Sequence, residues 1–245
     1  MHKFSDIKLQ YFQGVHKFLY LKIYGRVLSL ISASWGLGRL ALCQGDLHKA
    51  LSLLERAMGI CQNADLSGYF PMIAVALGAA YTLGGRVAAA VPLLTQATTQ
   101  ATAMEVAYFE TLCHLCLGEA QMGAGRLEEA YVLANRTLEH ARRRQERSNQ
   151  AYALCLLGEI AARRDPPVSD QAGDYYRQAL SLTEELGMRP LQAHCHRSLG
   201  MLYAATSQRE QARTELSTAI EMYTSMEMTF WLPQAEAMLA QVEGR

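Results

Sequence analysis

The sequence predicts an all-α protein, a right-handed superhelical solenoid of about five helix pairs with a period near 40 residues and a C-terminal capping helix. Three observations predict it. A Leu-Gly pair recurs as Leu37-Gly38, Leu77-Gly78, Leu117-Gly118, Leu157-Gly158 and Leu199-Gly200, with glycine spacings of 40, 40, 40 and 42. Small and large residues follow each pair at fixed offsets. Turn residues separate the two halves of each unit, as in Gly45-Asp46, Gly84-Gly85 and Gly123-Ala124-Gly125. Self-similarity at such a period marks stacked supersecondary units that bury their faces only against one another.

Each repeat follows the same logic. Twelve residues after the glycine stands a small residue, then a large one, then another small one: Ala50, Leu54 and Ala57; Ala90, Leu94 and Ala97; Ala212, Leu216 and Ala219. The third repeat weakens the pattern to Ala130, Ala134 and Thr137. The fourth reaches Ala172, Tyr176 and Ala179 two residues late, with the insertion at Arg163-Arg164-Asp165-Pro166-Pro167. Glycine on the first helix and alanine on the second let two backbones approach, and the large residue fills the space beside them. Ser207-Gln208 stands where the other turns carry glycine.

These offsets resemble those of the tetratricopeptide repeat, in which Leu-Gly is followed by a tyrosine, here Tyr81 and Tyr203, and then by the Ala, large, Ala series. The usual period is ~34 residues, and one near 40 also suits HEAT or armadillo repeats, so the internal offsets decide. The extra length lies between the last alanine of one repeat and the next Leu-Gly, which requires a longer second helix or a longer joint. Cys61 to Gly68 reads as such a joint, with Pro71 in the first turn of the next helix, and similar joints follow His140 and Gly187. The five repeats fall at about 25–64, 65–104, 105–146, 147–188 and 189–229. Residues 230–245 read as the capping helix, with Ala235, Met238, Leu239 and Val242 inward. Residues 1–24 are atypical, an aromatic-rich helix or arm.

Composition narrows the function. Half the residues are hydrophobic, and 23 Lys plus Arg balance 23 Asp plus Glu, so no net field gathers phosphates; nucleic acid is not expected as a partner. Six cysteines scattered through helical segments suit reduced thiols. The apolar run Val27–Cys43 is short for a membrane span and carries Arg39, and no secretory signal is evident, so a cytoplasmic protein without a membrane partner is expected.

Several stretches resemble one bacterial setting more closely: Gly45-Asp46-Leu47 through Leu53-Leu54-Glu55-Arg56-Ala57, Leu156-Leu157-Gly158-Glu159 through Arg164, Glu185-Leu186-Gly187-Met188-Arg189-Pro190 through His196, and Glu227-Met228-Thr229-Phe230-Trp231-Leu232. They are similar to the C-terminal repeats of large signalling proteins in which a class III adenylate or guanylate cyclase domain precedes an AAA-type ATPase. The resemblance implies a regulatory interaction and carries over no active-site residue.

Enzyme motifs are absent: Gly84-Gly85-Arg86 and Gly123-Ala124-Gly125-Arg126 read as interhelix turns, lacking the Gly-Lys-Ser/Thr of a phosphate loop. Cys113-His114-Leu115-Cys116 and His194-Cys195-His196 have ligand-like spacing but lie two repeats apart in first helices, so no metal and no cofactor are expected. Arg142-Arg143-Arg144 with Arg147 falls at the end of a second helix, where cations complement the dipole; an acidic-partner patch is the other reading.

In this repeat family the first helices line the concave face, which selects positions three before and one after the glycine. The first set is Trp35, Val75, Leu115, Cys155 and Arg197, the second Arg39, Ala79, Glu119, Glu159 and Met201. Trp35, Arg39, Glu119, Glu159 and Arg197 are the partner-binding candidates, since aromatics and arginines dominate hot spots. The mixed set lacks the lysines and asparagines that clamp acidic chaperone tails. Gly38, Gly78, Gly118, Gly158, Gly200 and Ala50, Ala90, Ala130, Ala172, Ala212 are the repeat-packing positions. The expected function is a noncatalytic scaffold for a protein or peptide partner, the regulatory arm of a signalling ATPase or cyclase system. The alternatives are the effector-sensing arm of an ATP-binding transcription regulator and an enzyme with a site between helices.

Overall fold

The computed structural model describes residues 25–105 and 107–244, and the expectation of a helix or arm over 1–24 lies outside them. Among the described residues there are eleven helices and no strand. They are α1 (Gly25–Gln44), α2 (Leu47–Asn63), α3 (Phe70–Leu83), α4 (Val87–Ala103), α5 (Ala107–Gly123) and α6 (Leu127–Arg143), followed by α7 (Arg147–Arg163), α8 (Ser169–Leu186), α9 (Arg189–Ala205), α10 (Arg209–Ser225) and α11 (Leu232–Glu243). Each helix packs on the next. The first helices also meet one another in sequence, α3 with α5, α5 with α7, α7 with α9 and α9 with α11, which puts them on the inner side of a curve. This is a superhelical solenoid of tetratricopeptide type.

The glycine and its large partner explain the pair geometry. A Cβ at Gly38 would stand 2.7 Å from Leu54 Cγ, at Gly78 2.6 Å from Leu94 Cγ, at Gly158 2.6 Å from Tyr176 Cε1, and at Gly200 2.7 Å from Leu216 Cγ. Leu54, Leu94 and Leu216 are fully buried and Tyr176 nearly so, each contributing ~1.5–3 kcal/mol by burial. Repeat three differs. Ala134 leaves the filler position small, and a Cβ at Gly118 would instead meet Leu156 Cδ2 of α7 at 3.1 Å. The space is filled from the next repeat. Ala50, Ala90, Ala130, Ala172 and Ala212 are all fully buried.

The extra period length resides in the helices. Most run 17 residues, while the inter-repeat joint at 187–188 has two residues and that at 144–146 three. Cys61 is therefore helical, not part of a joint that opens there: α2 continues through Asn63, and a short 3-10 turn, Ser67–Tyr69, leads into α3. Likewise α6 continues past His140 to Arg143. Pro71 and Pro233 sit in the first turns of α3 and α11, where a missing N–H costs no bond. The α7–α8 connection spans 164–168, two residues longer than the 206–208 turn of the next repeat. Asp46 caps α2 by accepting from the Lys49 amide at 3.1 Å.

The apolar run read as Val27–Cys43 belongs to the 20-residue α1, which by length and composition is long enough to cross a membrane. In the fold Ile31, Ser34, Gly38 and Ala41 of this helix are buried, while Leu30, Leu37 and Leu40 are exposed.

The curve is tight. The first turn, at Gly45, reaches the α10–α11 connection so nearly that an added Cβ would collide with Phe230 Cβ and lie 3.1 Å from the Phe230 backbone nitrogen. The first turn and the last connection meet, and the inner face becomes a groove that stays open to solvent.

Candidate functional site

That groove, about 460 Å³, receives side chains from every first helix and from the C-terminal cap. On α7 its lining runs Tyr152, Cys155, Leu156, Glu159 and Arg163, the i, i+3, i+4, i+7, i+11 stripe of one helix face. Neighbouring first helices add Leu42, Ala79, Thr82, Leu83, Glu119, Met122, Leu191, His194 and Arg197, and Trp231 closes the far side. The wall is apolar at its ends and charged at its middle.

Of the five partner-binding candidates, the fold brings Glu119, Glu159 and Arg197 into the groove. Trp35 is elsewhere. Its indole N–H donates to the Met72 carbonyl at 3.2 Å and the ring packs against the α1–α3 core, so it joins two first helices. The Arg39 guanidinium lies 5.0 Å from the Trp35 ring centroid and is exposed. Leu115, read as lining the concave face, is buried in the core, and Cys155 shows only an edge. Met201 borders a separate hollow with α11. The position three before the glycine thus serves helix stacking in the middle repeats, because successive first helices touch there.

Glu159 is the hub. Its Oε1 accepts from Ser198 Oγ at 3.1 Å and stands 3.8 Å from an Arg197 nitrogen, while its Oε2 accepts from Arg163 at 3.2 Å. Glu119, half-buried across from it, has its pKa raised to about 7 by burial and then by the Glu159 carboxylate. Near neutrality it is partly protonated. Arg197 contributes a buried Nε–H without a hydrogen-bond partner, a cost of ~1–3 kcal/mol unless a ligand oxygen satisfies it. His194 donates to or accepts from Tyr223 Oη at 2.7 Å and meets Trp231 edge-on with centroids 4.8 Å apart. Burial, then Arg197, depresses its pKa to about 3, so it stays neutral. Tyr152 remains more than a third exposed within the groove.

Sequence reasoning missed Tyr152, Arg163, His194 and Trp231. The first three were within reach: Tyr152 and His194 both stand six before the repeat glycine, and Arg163 five after, so extending the face by one turn each way finds them. Trp231 arrives only through curvature.

The ligand-like cysteine and histidine runs do not converge. Cys113 and Cys116 are buried thiols, the first pushed up to about 12 by burial and then by Glu110, and Cys195 is buried in the core. His196 points away from His194 and pairs with Glu215 at 2.6 Å. In the arginine cluster, Arg144 pairs with Glu110 at 3.1 Å and Arg147 forms a two-pronged pair with Glu185, while Arg142 and Arg143 are exposed at the end of α6.

No family model matches the chain, and no curated protein matches it. Solved structures do. A Rap protein complexed with competence and sporulation factor aligns with a TM-score of 0.73 at 15% identity, over 87% of this chain and 62% of that one. NprR in complex with its cognate peptide NprX aligns at 0.72 and 17% identity, over 91% and 65%. A signal transduction ATPase with numerous domains and a tetratricopeptide repeat sensor, from Pyrococcus horikoshii, aligns at 0.61 and 17%, over 92% and 34%. The chain therefore spans less than two thirds of each of these proteins. At such identities the likeness establishes the fold, a tetratricopeptide-like solenoid.

Proposed function

We propose that the protein is a noncatalytic interaction module whose inner groove takes an extended peptide or a peptide segment of a partner protein. The observation that carries this reading is the groove itself, lined from all five first helices and carrying one unpartnered buried donor, Arg197 Nε. A peptide supplies what the wall lacks. A backbone carbonyl or carboxylate can accept from Arg197, a cationic group can sit between Glu119 and Glu159, and apolar side chains can rest on Leu42, Met122, Leu191 and Trp231. Two of the similar structures are complexes, one with competence and sporulation factor and one with a cognate peptide, which supports the same ligand class here.

The finer role is the sensing arm of a bacterial signalling ATPase or cyclase system. Its support is the stretches that resemble cyclase–ATPase proteins and the similarity to a signal transduction ATPase that carries a tetratricopeptide repeat sensor.

Selection of a random peptide display library on the full chain tests the groove. Enriched peptides should lose about 1–3 kcal/mol of affinity with Arg197→Ala and with Tyr152→Ala, the latter at unchanged melting temperature, and nothing with Val132→Ala on the exposed side of α6. Failure to enrich any peptide, or enrichment indifferent to the two groove substitutions, would refute the reading.

A further inference from the structure

One side-chain cluster outside the groove has the composition of a metal site. Glu110 and His114 stand at i and i+4 near the start of α5, so they share a face, and His140 projects from the last turns of the antiparallel α6. One ligand atom from each, a carboxylate oxygen and two ring nitrogens, lie within 4.8 Å of one another. We infer that Glu110, His114 and His140 form a binding site for a divalent transition ion of the zinc class, with the remaining coordination positions open to water.

Three features support the assignment. Nδ1 of His114 and Nδ1 of His140 are both buried and have no hydrogen-bond partner, an arrangement that native interiors avoid at ~1–3 kcal/mol per group unless something binds there. Both imidazoles are held neutral, as a ligand must be: burial and then Arg136 bring His114 down to about 4, and burial lowers His140 despite the nearby Glu110 carboxylate. Glu110 is arranged as a metal-bound carboxylate usually is. Its Oε2 accepts from Arg144 at 3.1 Å, leaving Oε1 with a 3.4 Å contact from the Thr102 hydroxyl. An outer-shell cation on one carboxylate oxygen orients the other.

The donors need modest contraction. At Zn–N distances of ~2.0–2.1 Å, tetrahedral ligand atoms lie about 3.3 Å apart, reachable by rotating imidazoles that no Nδ1 hydrogen bond restrains. His140 also borders a surface hollow with Arg136, Glu139 and Arg142. Arg136, Arg143 and Arg144 bring positive charge near the site, so the ion should bind more weakly than at a four-cysteine site. Cys113, with its raised thiol, is not part of the set.

The full chain, stripped with a chelator, is dialysed against zinc chloride and assayed by elemental analysis, and titrated with Co2+ while its visible bands are followed. One ion per chain is expected, with affinity at least about tenfold weaker in His140→Gln and in Glu110→Gln and unchanged in His196→Gln. Nitrogen-resolved NMR of the imidazoles in the unsubstituted protein needs no variant: two rings should shift together as zinc is added. No retained ion, uptake that survives both substitutions, or no paired imidazole shift would overturn the inference.

Discussion

Gly158 and Gly118 hold the same register position and face different walls. A methyl at Gly158 would drive into the buried Tyr176 ring at 2.6 Å, whereas at Gly118 it would meet the end of Leu156 at 3.1 Å. Gly158→Ala should therefore cost about 1–3 kcal/mol by overpacking. Gly118→Ala should cost much less, because the ~1 kcal/mol preference of helices for alanine offsets a small shift of Leu156. Chemical denaturation of the two variants measures this, and equal losses would contradict the packing account. The weak third repeat was legible as Ala134 in the sequence, but its remedy was not: only the structure has Leu156 crossing from the next repeat.

Glu119 supplies a second test at this scale. Its folded pKa, about 7, lies above its unfolded value near 4.5, so the folded state holds the proton more tightly. Stability from this residue is full below pH 4.5 and is lost as pH rises towards 7, by on the order of 1–3 kcal/mol. His194 and His114 act oppositely. Their folded pKa values, about 3 and about 4, lie below the unfolded 6.5, so they withdraw stability as pH falls below 6.5. The stability difference between the native chain and Glu119→Gln isolates the carboxyl and should fall between pH 4.5 and 7; a flat difference would contradict the burial-raised Glu119 pKa.

At the scale of the helix, the inner stripe is the unit that lines the groove. The glycine register located its middle, Glu119, Glu159 and Arg197, because one face of a helix repeats every three to four residues. Trp35 stands outside the groove because α1 packs on α3 at that residue, which depends on the angle between these two repeats, a quantity no single helix encodes. The turns offer a cleaner contrast. Gly45 and Gly85 both adopt left-handed backbone, at φ +82 and +71, but only Gly45 abuts Phe230, while nothing lies within 4 Å of a Cβ at Gly85. Alanine at either should cost about 1 kcal/mol of backbone strain. Gly45→Ala should cost at least about 1 kcal/mol more, the part owed to closure of the solenoid, and should also weaken peptide binding. Equal destabilisation in thermal melts, with affinity untouched, would argue that closure contributes nothing.

At the scale of the molecule, curvature turns five similar units into one site. Each repeat contributes a few inner side chains, and the return of Phe230–Trp231 to the first turn completes the ring around them. Number of repeats, pairing and cap were legible because they rest on local periodicity; closure was not, since it sums small rotations over the whole chain. Amide hydrogen exchange of the full chain, with and without a library-selected peptide, tests the groove most directly. Protection should concentrate on the inner turns of α5, α7 and α9 and at Phe230–Trp231, leaving α4, α6 and α8 unchanged. Protection confined to those second helices would contradict an inner binding site.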